Sequence, residues 1–209
     1  MLDKFNEVEH YFTSKPRSKI EFRLIHAYLH GRRFQFLTST GIFSKKRIDL
    51  GTRVLIEHMI LPKEGHVLDL GCGYGAIGIV AAALNPNLRV VMVDINRRAV
   101  KLAKHNININ GISNAEVRHG NLYEPVRGMS FNCILSNPPI SAGLATVKTM
   151  ITEAPKYMKD GATFQMVVKS KICGERLRRI FEETFGDFTV LVRRSGYRVL
   201  MAEKKACQD

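Results

Sequence analysis

The chain has 209 residues, 45% of them hydrophobic and 24% charged, which suits one compact globular domain and excludes an intrinsically disordered protein. Lysine and arginine number 32 against 19 acidic residues, so the net charge of +13 favours polyanionic partners, nucleic acid ahead of anionic membranes. Neither a signal peptide nor a bilayer-spanning run is present, and the four cysteines lack metal or disulfide spacing, so we expect a soluble cytoplasmic protein without a metal.

The first sixty residues predict a β-hairpin followed by a helix. A turn is expected around Gly31, because glycine suits a tight connection between two strands. A helix is predicted over 49–61 from the helical spacing of its apolar residues, and Pro62 closes it. In each strand of the hairpin, every second residue belongs to one pattern. Before the turn these residues are Phe22, Leu24, His26 and Tyr28, and after the turn they are Phe34, Phe36 and Thr38.

From residue 66 onward, predicted strands and helices alternate. Helices are expected over 97–110, 144–157 and 174–185, and one more follows the glycine-rich turn at 71–78. Alternation of this kind predicts a doubly wound α/β fold with a mainly parallel sheet of seven strands. Only Ser195 and Gly196 join the last two strands, a link too short for a parallel crossover, so the final strand must run antiparallel. We expect one domain over 1–209, with an N-terminal extension over 1–48 and the core over 49–209.

The first candidate site is the segment 67–75, Val-Leu-Asp-Leu-Gly-Cys-Gly-Tyr-Gly, where an apolar strand breaks into glycines before a helix. Glycines allow a ligand to approach the backbone closely at a helix N-terminus. The spacing of Gly71, Gly73 and Ala76 also fits a loose dinucleotide fingerprint, and Asp94 lies near the position of a ribose-binding acid. The glycine pattern alone therefore leaves NAD-type and other nucleotide cofactors open.

Asp69 favours one of these cofactor classes. A carboxylate directly before the loop would repel an anionic pyrophosphate, whereas it would attract the ammonium and sulfonium groups of S-adenosylmethionine. The plainer alternative is that Asp69 caps the turn or the helix. Asp94, at the end of the next strand, is suited to accept hydrogen bonds from both ribose hydroxyls, and its alternative role is an N-cap for the helix that begins near Asn96.

The second candidate site is Asn137-Pro138-Pro139-Ile140, which directly follows a predicted strand. The prolines stiffen the loop and remove backbone donors, so that the segment offers acceptors. The side-chain oxygen of Asn137 and the carbonyl of Pro138 can receive both hydrogens of an amino group and aim its nitrogen at an electrophile. An ordinary turn is the alternative for this segment alone. Both loops follow parallel strands, however, and we expect them to meet at the carboxyl edge of the sheet.

With these motifs the chain resembles class I methyltransferases, and more closely the "methyltransferase small" family, which includes ribosomal RNA guanine methyltransferases and single-domain archaeal members. The resemblance covers nearly the whole length, and its further segments are His10 to Pro16, Gly41 to Ser44, 49–52, VDIN, NLYE and SNPP. It implies a Rossmann-like sheet of order 3-2-1-4-5-7-6, with S-adenosylmethionine as the cofactor. The cofactor-binding residues that it implies are Thr52, Asp69, Gly71, Cys72, Gly73, Asp94, Ile95, Asn121, Leu122 and Asn137.

The resemblance also implies an acceptor, an exocyclic amine of guanine in ribosomal RNA. Family members usually carry an aromatic residue where Ile140 stands, and stacking of a base on an aromatic ring is worth ~1–3 kcal/mol. Ile140 therefore makes both guanine and a glutamine side-chain amide less strongly indicated as the methyl acceptor. Two other functions stay open, protein glutamine N-methylation and RNA binding without catalysis, and an NAD dehydrogenase is the least favoured. Candidate substrate contacts are Lys15, Arg17, Phe43 and Ser44, with a core role for Phe43 as its alternative.

Overall fold

The structure is a computed structural model and describes residues 21–40, 47–138, 143–171 and 174–206. A hairpin comes first, with strands β1 (Phe22–Leu29) and β2 (Arg32–Ser39), followed by helix α1 (Leu50–His58). Asp49 caps α1, because its side chain accepts hydrogen bonds from the backbone N–H groups of Gly51 and Thr52. The hairpin and the helix occur where the sequence predicts them, and the helix ends before Pro62.

Seven strands form the main sheet. They are β3 (Gly65–Leu70), β4 (Leu88–Asp94), β5 (Ala115–His119), β6 (Phe131–Ser136), β7 (Met158–Lys169), β8 (Thr189–Arg194) and β9 (Tyr197–Glu203). Their order is β5-β4-β3-β6-β7-β9-β8, which is the expected 3-2-1-4-5-7-6 when the hairpin is left out of the count. The pairs among β3, β4, β5, β6 and β7 are parallel, whereas β9 runs antiparallel to both of its neighbours. The predicted Rossmann-like fold is confirmed.

The helices that connect the strands are α2 (Ala76–Leu84), α3 (Arg97–Ile109), α4 (Leu144–Thr152) and α5 (Glu175–Phe185). The helix expected over 144–157 ends at Thr152 and continues as a short 3-10 turn over Ala154–Tyr157, where Pro155 removes a backbone donor. No helix in the described ranges is long and apolar enough to cross a membrane.

Two apolar layers cover the two faces of the sheet. On one face the hairpin, α1, α2 and α3 pack through side chains such as Phe36, Leu55 and Ile79. On the other face α4 and α5 pack through side chains such as Ile151 and Phe181. Because both faces are covered, the central strands are apolar almost throughout, as is usual for a parallel sheet. The carboxyl ends of β3, β4 and β6 are left as one shared edge.

The hairpin is held to the core by two asparagines of α3. Asn106 accepts from the backbone N–H of Leu37 at 2.7 Å and donates to the Leu37 carbonyl at 3.1 Å. Asn110 pairs with the backbone of Gln35 in the same way, at 3.0 and 2.7 Å. These side-chain amides take the place of a neighbouring strand along the outer edge of β2, so that this edge is not open to pairing with another chain.

The alternating residues of the first strand of the hairpin face solvent, whereas those of the second strand face the core. Phe34 and Phe36 are buried, whereas Phe22 and Tyr28 expose 62% and 63% of their surface. The register explains the difference, because Phe36 lies opposite Ile25, which is also buried, and not opposite Leu24. Side chains that lie opposite one another share a face of the hairpin. The alternating residues of β1 therefore face outward, and those of β2 face inward.

Candidate active site

The glycine loop lies at the carboxyl edge, between the ends of β3 and β4. The backbone N–H groups of Gly71 and Cys72 both donate to the Val93 carbonyl, at 2.9 and 3.0 Å, which fixes the loop to β4. Gly71 and Gly73 have φ values of +78° and +58°, a left-handed conformation that glycine adopts without a steric penalty. A Cβ placed on either residue would meet no atom of the described chain within 4 Å. The loop therefore presents bare backbone to an open space.

Asp94 joins this loop to the next one. Its Oδ2 accepts from the backbone N–H of Gly73 at 2.7 Å, and its Oδ1 accepts from the backbone N–H of Asn96 at 2.8 Å. The helix-capping role considered for Asp94 belongs to Asn96, whose side chain accepts from the first turn of α3. Burial raises the pKa of Asp94, and the two backbone donors oppose that rise. Each carboxylate oxygen keeps a further lone pair for a hydroxyl donor.

Asp69 lies below the loop and is fully buried. Its Oδ2 accepts from the backbone N–H of Gly78 in the first turn of α2, at 2.8 Å, so the capping role considered for Asp69 is present. Its Oδ1 has no partner among the described residues. Burial raises the pKa of Asp69 to about 7, and the nearby charge of Asp94 adds to the rise.

These features fit S-adenosylmethionine, the cofactor that the resemblance implies. A cationic ligand would compensate a buried acid, Asp69, and a half-buried one, Asp94, whose charged forms are disfavoured, and an anionic pyrophosphate would not. The glycines leave room for close approach of the ligand, and the unpartnered oxygen of Asp69 is an acceptor at the base of the same loop. Of the described residues, no three His, Cys, Asp or Glu side chains are placed to hold a metal ion.

The other expected cofactor residues lie around this loop. The Cys72 side chain is buried and its thiol pKa is raised by burial, which makes it a packing group and not a nucleophile. The Ile95 carbonyl lies 3.0 Å from the His119 ring, and Gly120 donates to the Asp94 carbonyl, so the end of β5 is fixed beside Asp94. Asn121 and Leu122 follow directly, and Leu122 has a φ of +46°, which is uncommon for leucine.

Asn137 follows β6, the strand next to β3. Ser136 ties the two strand ends together, because its hydroxyl donates to the Leu70 carbonyl at 2.8 Å. The side-chain nitrogen of Asn137 donates to Thr52 Oγ1 at 2.8 Å and to Asp49 Oδ2 at 3.2 Å. Both amide hydrogens are therefore used, and the Asn137 Oδ1 is left as an acceptor that no donor reaches within the described ranges. The N-terminus of α1 thus sets the orientation of the Asn137 amide.

The two predicted loops therefore follow adjacent parallel strands at one edge of the sheet, where Asp69 lies opposite Leu135 in the register. Thr52, expected as a cofactor contact, accepts a hydrogen bond from Asn137. Pro138 is described and buried. Six further candidates lie outside the described residues, namely Lys15, Arg17, Phe43, Ser44, Pro139 and Ile140.

Three residues that organise the site have no such role among the sequence-based predictions. Asp49 begins the predicted helix and belongs to the 49–52 segment of the resemblance, and the signal for its further role is that an acid in front of a helix is a usual N-cap whose oxygens can accept additional hydrogen bonds. Asn106 donates to the Tyr74 carbonyl at 2.8 Å and so links the glycine loop to the hairpin. Asparagine inside a helix is unfavourable, which was the available signal. Tyr197 packs against Gly51, where an added Cβ would lie 2.7 Å from its ring, and no local pattern marks it.

Comparison with known proteins identifies methyltransferases as the proteins that this chain is similar to. The family model described as "Methyltransferase small domain" matches residues 33–201. The Bacillus subtilis protein YbxB is 34% identical over 198 residues, which cover 94% of this chain and 98% of YbxB. The ribosomal RNA small subunit methyltransferase C of Aeromonas hydrophila is 34% identical over 172 residues, covering 80% of this chain. The chain spans about half the length of that enzyme and of its homologues in other bacteria.

Among solved structures, the T. thermophilus 16S rRNA N2 G1207 methyltransferase (RsmC), in complex with AdoMet and guanosine, superposes with a TM-score of 0.80. The two chains are 26% identical, and the match covers 91% of this chain and 52% of the other. A methyltransferase from Pyrococcus furiosus shares the fold, with a TM-score of 0.55 and 20% identity over 69% of this chain and 78% of that one. The chain therefore belongs to the methyltransferase small domain family of S-adenosylmethionine-dependent methyltransferases.

Proposed function

We propose that the chain methylates an exocyclic amino group of guanine in RNA, with ribosomal RNA as the substrate. The orientation of the Asn137 amide carries this proposal. Its nitrogen is held by Thr52 and Asp49, so its oxygen is presented as an acceptor beside the glycine loop. An acceptor of this kind binds an NH₂ group, which is the chemical feature that distinguishes an amino acceptor from a hydroxyl or a ring carbon.

In this proposal Asn137 Oδ1 and the Pro138 carbonyl accept the two hydrogens of the amino group and direct the nitrogen lone pair towards the cofactor space. S-adenosylmethionine supplies an electrophilic methyl group on a good leaving group. Alignment of the nitrogen is then the main contribution of the protein to the rate. No strong base is needed within the site, because the methylated nitrogen is acidic enough to release its proton to water.

The cofactor would be held by the residues that surround the open space over the glycines. Gly71, Cys72 and Gly73 would offer backbone to its methionine portion, and Asp69 would compensate its positive charge from below. Asp94 and Ile95 would hold the ribose and the adenine, with Asn121 and Leu122 on the far side of the adenine. Thr52 would act through Asn137.

Three observations support RNA as the acceptor. The solved relative with bound AdoMet and guanosine is a 16S rRNA N2 methyltransferase, and several curated relatives are ribosomal RNA small subunit methyltransferases. The net charge of +13 favours a polyanion. Free cysteines at Cys72 and Cys133 fit the reducing cytoplasm in which such a substrate lies.

The test is transfer of a labelled methyl group from S-adenosylmethionine to small-subunit ribosomal RNA from cells that lack the gene. Nucleoside mass analysis should then show N2-methylguanosine, and Asn137→Ala should reduce the transfer about a hundredfold or more, the range for loss of a positioning contact. Label found on protein glutamine would instead support protein N-methylation. Binding of RNA without transfer would support a noncatalytic module. Either outcome would overturn the proposal.

A further inference from the structure

Beyond the cofactor loop, the carboxyl edge of the sheet carries a cluster of positive side chains that the chemistry of methyl transfer does not use. Strand β7 ends in Lys169, and the turn between β8 and β9 brings basic residues beside it. We call this cluster the basic corner, and its members are Lys169, Lys171, Arg193, Arg194 and Arg198. Four of them are exposed and Arg198 is half-buried.

The register of the strands brings these charges to one end of the sheet, with Lys169 and Arg194 on one face and Arg193 and Arg198 on the other. Arg193 lies directly opposite Arg198 across β8 and β9, and like charges in that position destabilise a sheet. Lys169 and Arg194 each lie opposite Tyr197, one on either side of β9. An arrangement that opposes folding in this way is expected where the charges serve a polyanionic ligand.

Few of these charges are neutralised by the protein. Arg194 pairs with Glu57 at 3.0 Å, and Glu57 also contacts Arg53 at 3.5 Å, so one acid faces two cations. The Arg198 Nε is buried and has no acceptor within the described part of the chain. A buried donor without a partner is costly, and no acceptor among the described residues offsets that cost.

The basic corner is connected to the catalytic loop through Tyr197, which lies between Lys169 and Arg194 in the sheet. The Tyr197 ring packs against Gly51 at the N-terminus of α1. The backbone N–H of Gly51 donates to Asp49 Oδ2 at 2.9 Å, and that same oxygen accepts from Asn137. Strand β7 is also the parallel neighbour of β6, and Asn137 directly follows β6. The corner therefore lies beside the acceptor end of the site and not beside the cofactor end.

We infer that the basic corner binds the phosphate backbone of the RNA strand next to the methylated base. This inference rests on the proposed function and specifies which surface receives the substrate. Phosphate contacts fix the position of a strand and carry no sequence information, which suits a set of flexible cations beside a rigid acceptor loop. The expected consequence is a salt-dependent affinity for RNA that is independent of the cofactor.

The test compares two double variants that each remove two exposed cations. Lys169→Gln with Arg193→Gln alters the basic corner at two exposed side chains that make no hydrogen bond or ion pair with the described residues. Lys63→Gln with Arg89→Gln removes equal charge at the opposite, amino-terminal edge of the sheet, where both residues are exposed. The measurements are the Kd for small-subunit ribosomal RNA against KCl concentration, the KM for RNA, and the Kd for S-adenosylmethionine.

The corner variant should lower the slope of log Kd against log salt by about 1.4 and raise the KM for RNA about tenfold, because each phosphate contact with a single strand contributes ~0.7 to the slope. The edge variant should resemble the wild type, and both should bind S-adenosylmethionine normally. Equal effects of the two variants, or no effect of either, would overturn the inference. Failure of the wild type to methylate RNA would count against the proposed function alone, because the binding slopes are measured without methyl transfer.

Discussion

Thr52 accepts a hydrogen bond of 2.8 Å from the side-chain nitrogen of Asn137, although the two residues lie 85 positions apart. The contact connects the first turn of α1 to the loop after β6. Asp49, the cap of the same helix, accepts from the same nitrogen. An asparagine amide has no intrinsic preference for which end faces a ligand, and here the neighbouring oxygens decide that its carbonyl does.

This relationship predicts the effect of Thr52→Val, which keeps the shape of the side chain and removes its acceptor oxygen. One hydrogen of the Asn137 amide then loses its partner, at a cost of about 1 kcal/mol or more, and the amide can rotate away from the productive orientation. We expect kcat to fall about tenfold. Affinity for S-adenosylmethionine, measured by calorimetry, should stay within about twofold, because the cofactor loop is unchanged.

The matched control is Thr52→Ser, which retains the hydroxyl and should retain most of the activity. Equal kcat values for the valine and serine variants would show that the hydroxyl does not orient Asn137. A fall in cofactor affinity without a fall in kcat would place Thr52 at the cofactor instead, as the resemblance implies.

A second prediction concerns the cofactor loop. Gly73→Ala places a methyl group where no protein atom lies within 4 Å, at a φ of +58°. The left-handed conformation costs about 1 kcal/mol for a residue with a Cβ, so the empty protein should stay folded. The methyl group would project into the open space assigned to S-adenosylmethionine. Its Kd should therefore rise at least about tenfold, equivalent to ~1.4 kcal/mol.

Gly128 provides a control for this substitution. Its φ is +78°, and a Cβ there also meets no atom of the described chain, but it lies in the connection before β6. Gly128→Ala should cost a similar amount of stability and leave cofactor binding unchanged. If the two variants bind S-adenosylmethionine equally well, the cofactor does not lie against Gly73.

A third prediction follows from the raised pKa of Asp69. The carboxyl group holds its proton up to about pH 7 in the folded protein, but only below about 3.8 in the unfolded chain. Between those values the folded state binds one proton more than the unfolded state. The contribution of Asp69 to the free energy of unfolding therefore decreases as the pH rises from about 4 to about 7, and it changes no further above that.

The measurement is urea unfolding of the cofactor-free protein from pH 4.5 to pH 8, with Asp69→Asn as the reference. Asparagine can still accept from the Gly78 N–H but carries no charge, so the variant should lack this part of the pH dependence. The difference in stability between the two proteins should favour the variant increasingly up to about pH 7. A difference that does not vary with pH would mean that Asp69 titrates normally.

A fourth prediction separates the two asparagines that hold the hairpin. Asn106→Ala removes hydrogen bonds to the backbone of Leu37 and to the Tyr74 carbonyl, all at a fully buried position. We expect a loss of about 3 kcal/mol in the free energy of unfolding, since each bond contributes ~1 kcal/mol. Asn110→Ala removes a similar pair at a more exposed position and should cost about 1 kcal/mol.

Urea unfolding measures both losses, and hydrogen exchange of the β2 amides shows where they arise. Faster exchange in β2 for Asn106→Ala, with the cofactor loop also less protected, would agree with its link to Tyr74. If the two variants lose the same free energy of unfolding, the burial of Asn106 does not increase the contribution of its hydrogen bonds.

The sequence alone determined the fold, because hydrophobic periodicity, glycine turns and the length of each connection restrict a chain to few topologies. Ser195 and Gly196 were sufficient to fix the direction of the last strand, since two residues cannot cross a sheet. The glycine loop and Asn137 were also identifiable, because their chemistry is encoded in neighbouring residues.

Only the tertiary structure decided how distant residues use their polar atoms. Asp69 faces the core and caps α2, Asn96 and not Asp94 caps α3, and Phe22 faces outward, although the local pattern permits the opposite in each case. The contact of Asn137 with Thr52 depends on the packing of α1, and the position of Arg193 opposite Arg198 depends on the register of β9. A sequence shows which donors and acceptors exist, whereas their pairing depends on distances that are set when the whole chain is folded.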